Sequence, residues 1–129
     1  MVSKVEKKVR KTLIKVARGE LNTYYFRKIT YKELWLTQYP GGAWGQGHTP
    51  EVVEWIVNIS NADTDNGLPP LNALVVRKDT SEPGKDWKSW HKSVGSPFES
   101  QDHAQAACWA YWPTANIVQM YHRSAKSTI

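Results

Sequence analysis

One cysteine, two methionines and two phenylalanines stand among 129 residues. A single thiol, Cys108, cannot close an internal disulfide, so a reducing compartment is expected and the cytoplasm is the default. No run of about 18 apolar residues occurs, and the N-terminus alternates Lys with Val where a secretion signal needs an unbroken apolar core; neither a membrane span nor export is expected. The four histidines, His48, His91, His103 and His122, form no His-x-x-x-His pair, and no Cys-x-x-Cys exists, so no metal site and no cofactor are expected. Both phosphate-cradling patterns, Gly-x-x-x-x-Gly-Lys-Ser/Thr and Gly-x-Gly-x-x-Gly, are missing. Internal repeats and low-complexity tracts are missing too.

What is present is aromatic and basic. Seven Trp and six Tyr within 40% hydrophobic content favour collapse, and the length suits one domain over residues 1–129. The net charge of +5 is uneven. Residues 1–32 hold ten Lys/Arg against two Glu, a net of +8, whereas residues 33–129 hold seven Lys/Arg against ten Asp/Glu, a net of −3.

Ser3-Lys4-Val5-Glu6 has the form of a capping box and predicts a helix that Gly19 ends, with Val5, Val9, Leu13 and Val16 as its apolar face. Residues 23–29 are aromatic and β-branched enough for a short strand. Thr30-Tyr31-Lys32-Glu33 repeats the capping box and opens a helix that stops by Tyr39-Pro40. A glycine-rich loop, 41–47, leads to Thr49-Pro50-Glu51, which predicts a third helix to about Ser60 with Thr49 as its cap. Residues 61–70 read as turns, and Leu71–Arg77 as the best strand. Residues 87–91 form a short amphipathic piece, and Ser100 caps a last helix that Pro113 kinks or breaks before Ile117, Met120 and Tyr121. The expectation is an α+β, winged-helix-like small domain: a basic amphipathic helix (1–19), a helix-loop-helix-strand core (30–77) and a C-terminal helical region (99–125).

Ile29-Thr30-Tyr31-Lys32-Glu33-Leu34 resembles the Ile-Thr-Tyr-Gly-Glu-Leu opening of the winged-helix domain in alkyltransferase-like DNA-repair proteins, and Leu68-Pro69-Pro70 to Val76 falls where that family has a Pro-containing turn and a strand. The resemblance implies a DNA-binding fold over about half the chain. The family's reactive Pro-Cys-His-Arg motif is absent, which removes alkyl transfer. The stretch from Gly67 to Thr80 also resembles a module of prokaryotes and their phages, which supplies no function.

Lysine at the density of the first helix attracts phosphate, and each neutralised phosphate releases condensed counterions. The candidate nucleic-acid contacts are Lys4, Lys7, Lys8, Lys11, Lys15 and Arg18, with Arg77, Lys78, Lys85 and Lys88 as a second patch after the strand. The same residues also fit an anionic protein or membrane surface, or plain solvation. The helix beginning at 49 bears Glu51 and Glu54 and no Lys or Arg, so phosphates would repel it. Trp35, Trp55, Trp109 and Trp112 are expected in the core; Trp44, Trp87 and Trp90, in polar or Gly-rich surroundings, are candidates for stacking on bases or anchoring a partner. Asn61, Asp63, Asp65 and Gly67 miss the calcium-loop pattern and read as a turn.

Three functions follow. The first is a non-enzymatic module engaging nucleic acid or a nucleic-acid-handling protein. The second is a small phage-type inhibitor or adaptor that binds a host defence protein through exposed tryptophans. The third is a small nuclease or phosphodiesterase joining His48 or His91 with Asp79, Glu51 or Lys78.

Overall fold

The computed structural model describes residues 2–95, 97, 98 and 100–113, apart from the side chains of Gln46, Lys85 and Asp86. The expected C-terminal helical region beyond residue 113, with Ile117, Met120, Tyr121 and His122, lies outside the described residues.

Helix α1 (Lys4–Ala17) starts as its sequence dictates: the Ser3 hydroxyl accepts from the Glu6 N–H (3.1 Å), and the Glu6 carboxylate accepts from the Ser3 N–H (2.8 Å). It ends in a Schellman turn, Gly19 N–H to Val16 O (3.0 Å) and Glu20 N–H to Lys15 O (2.9 Å), which requires the left-handed φ of +73° that glycine adopts without strain. Its inner face differs from the expected stripe. Val9, Leu13 and Val16 are buried, but Val5 is 38% exposed and Glu6 takes the inward position.

The expected strand at 23–29 is largely a loop. Only Ile29–Thr30 (β1) is strand, and it pairs in parallel with Val75–Val76 (β2) in the register Ile29 to Val75 and Thr30 to Val76. The expected strand at 71–77 likewise shrinks to Val75–Val76, because Leu71–Leu74 winds as a 3-10 turn directly after the two prolines. Helix α2 (Tyr31–Gln38) carries the second capping box, Thr30 with Glu33. Helix α3 (Thr49–Asp65) starts from an uncapped His48 rather than from Thr49, and runs five residues past Ser60. Residues 61–65, read as a turn from their Asn and Asp content, stay helical because Asp63 faces inward to a cation. Helix α4 (Lys85–Ser93) and residues 101–113 (α5) complete the described fold. Mixed helix and strand is therefore as expected, with the sheet reduced to two parallel strands.

α1 packs on α2, α3 and the 71–74 turn. The main core joins Leu13, Ile29, Leu34, Trp35, Trp55 and Ile59 to Cys108 and Trp112 from α5. A second cluster, Ala73, Trp87, Trp90 and Ala104, fastens α4 to α5. Trp87 and Trp90, expected as surface anchors, are each only 6% exposed. The amphipathic period of α4 turns both indoles inward, and the Trp90 Nε1–H donates to Asn61 Oδ1 at 2.7 Å.

Candidate nucleic-acid interface

Lys4, Lys8, Lys11 and Lys15 recur at spacings of four, three and four, so they form one line along α1 with Lys7 beside it. All five are exposed, and none forms an ion pair among the described residues. The helix's own acid is occupied elsewhere: Glu6 is turned in, accepting from the Ser3 N–H and from Asn58 Nδ2 (2.7 Å). Burial alone would raise the Glu6 carboxyl, but those hydrogen bonds outweigh it and hold the group below its usual range. The line spans about 16 Å at 1.5 Å per residue. Over that length one strand of a duplex presents about five phosphates.

Arg18, proposed for the same face, is paired with Glu20 (2.7 Å). Arg10, which the sequence did not single out, faces inward to Asp63. In the second patch, Arg77 is paired with Asp79 (2.8 Å), and Lys78 Nζ sits 4.9 Å from the centre of the Tyr24 ring. Lys88 is exposed on α4; the side chain of Lys85 lies outside the described residues.

The aromatic residues at the surface are not the expected ones. Trp44 is half-buried, edge-on to Trp35 at 5.7 Å. Tyr24 is 63% and Phe26 81% exposed, both in the loop between α1 and β1. The strand-like composition of 23–29 masked them; the clue available was the helix stop at Gly19 followed by polar Glu20, Asn22 and Thr23, which breaks any alternating pattern.

An open cleft of about 610 Å³ between α4 and α5 is lined by Trp87, Lys88, His91, Lys92, Ser100 and Asp102 among others. Trp87 and His91 stack at 4.7 Å. His48 stacks on Trp35 at 4.4 Å, and the Trp35 Nε1–H donates to Glu51 (2.7 Å), so His48 and Glu51 meet through an indole rather than as an acid-base pair. The glycine-rich loop before them is shaped by that indole: a Cβ on Gly42 would lie 2.9 Å from two of its ring carbons. Among the described residues no three His, Cys, Asp or Glu side chains converge as metal ligands, and no helix is long and apolar enough to cross a membrane. No family model, no curated protein and no solved structure matches this chain.

Proposed function

We propose that this protein is a nucleic-acid-binding module whose contact is the outward face of α1. The observation that carries the reading is the line of lysines 4, 8, 11 and 15, with Lys7 beside it, exposed and without a carboxylate partner among the described residues. A line of ammonium groups at helical spacing offers point charges to successive phosphates without selecting a base sequence, and counterion release makes such binding strong at low salt. Within the reading, α2, α3 and β2 keep the element order of a winged helix, and phosphate contact falls to α1 because α3 carries Glu51 and Glu54 with no Lys or Arg. A binding role, rather than hydrolysis, is supported by the lack of a direct His48–Glu51 pair among the described residues, the two meeting only through the Trp35 indole.

Replacing Lys7, Lys8 and Lys11 together with Gln tests it. Binding to DNA or RNA should weaken, and the slope of log affinity against log salt should flatten by about one per lysine that touches phosphate. Unchanged affinity and slope would remove α1 as the contact.

A further inference from the structure

We infer that the preferred ligand is single-stranded nucleic acid, with Phe26 as the base-stacking platform at the end of α1 where the lysine line stops; the inference rests on the proposed α1 contact. Gly19 lies just past the C-terminal end of α1, four residues beyond Lys15. The Phe26 ring lies 3.8 Å from the point where a side chain on Gly19 would begin. It therefore sits beside the C-terminal end of α1, the end at which the run of lysines stops.

The ring is held outward by the fold. Arg27, the next residue, has a left-handed φ of +61°, uncommon for a residue with a side chain. Its guanidinium donates to Ala17 O and Trp109 O, and the Trp109 indole N–H donates back to Arg27 O (2.9 Å). These bonds tie the loop to the end of α1 and to α5. On the other side the Tyr25 hydroxyl donates to Lys78 O, and the Tyr24 N–H donates to Glu33 Oε2 (2.9 Å). Phe26 is 81% exposed on this anchored turn.

Bases inside a duplex have both faces covered, so an exposed ring at the end of a phosphate-binding line gains a partner only from an unpaired base. Sequence tolerance is expected, since every base offers a π-face.

Fluorescence anisotropy on the full chain decides it, using labelled oligothymidylate and oligouridylate of about 15 nucleotides, an abasic strand and a duplex of the same length. F26A should weaken binding of the base-bearing strands about tenfold while leaving the abasic strand, the duplex and the salt slope unchanged. F26W should restore the loss. Both strands should respond alike; a loss confined to one would assign the platform to DNA or to RNA. If the unaltered protein binds all polyanions equally, or F26A binds the base-bearing strands normally, the stacking platform is wrong while the α1 contact stands. If the unaltered protein binds none of the probes, both readings fall. Circular dichroism on F26A should match the parent, because the ring is at the surface.

Discussion

Arg10 on α1 and Asp63 on α3 form a two-nitrogen ion pair across 53 residues of sequence, Nε to Oδ1 at 3.1 Å and Nη2 to Oδ1 at 3.0 Å. The guanidinium also lies 5.0 Å from the Trp112 ring centre, so a single side chain joins α1, α3 and α5. Removing one partner of a fully buried pair costs about 3–5 kcal/mol. The Arg10 side chain keeps 33% exposure, and with that discount R10M should lower stability by about 2 kcal/mol in urea denaturation. A change below the error of the fit would show that the pair contributes little.

Burial raises the Asp63 carboxyl above its ordinary value, and the hydrogen bonds and charge of Arg10 offset only part of that. The folded protein therefore binds more protons than the unfolded chain between the two pKa values. This group's contribution to stability is present below the unfolded value of about 3.9 and is lost as pH rises through the raised folded value. The stability of the parent relative to D63N should thus increase as pH falls from neutral toward that region. A pH-independent difference between the two proteins would contradict the direction.

Cys108 is buried, its thiol donates to Pro70 O (3.2 Å), and burial together with the nearby Asp63 charge pushes its pKa far up. Only the thiolate attacks thiol reagents. Labelling of native protein at neutral pH should therefore proceed no faster than unfolding, and prompt labelling without denaturant would refute the burial.

Gly42 lies against the six-membered ring of Trp35, whose indole is hemmed in by Tyr39, Trp44 and His48. G42A should destabilise the fold by about 1–3 kcal/mol, the range for overpacking where the neighbour cannot retreat. Thermal unfolding of G42A at the parental temperature would show that the indole yields.

Trp87 and Trp90 separate two kinds of buried indole. The Trp90 N–H has Asn61 as acceptor, whereas the Trp87 N–H has no hydrogen-bond partner among the described residues. W90F should cost about 1 kcal/mol more than W87F, because both lose buried ring volume but only the first removes a satisfied donor. Equal losses would indicate that ring volume, not the N–H, governs both sites.

Two helices were legible because their starts are local chemistry. Ser3 with Glu6 and Thr30 with Glu33 close their boxes within four residues, and Gly19 supplies the left-handed turn at the end. Over 71–77 the β-branched composition signals a buried, extended-like segment, yet Leu71–Leu74 satisfies its burial as a 3-10 turn. The length of α3 is hidden in the sequence because Asn and Asp at 61–65 favour turns, whereas in the fold a distant Arg10 takes Asp63.

For the candidate interface, sequence alone determined the density and spacing of lysines on α1, since helical period and capping depend only on neighbours along the chain. Tertiary structure decided which charges are left over. Glu6 goes to Asn58 and Arg10 to Asp63, while the lysines keep to solvent. It also chose the surface aromatics, burying Trp87 and Trp90 and leaving Tyr24 and Phe26 out. Whether an aromatic ring is covered depends on surfaces supplied from far along the chain, here α5 and the 77–81 loop anchoring residues 24–27, and no local pattern encodes that.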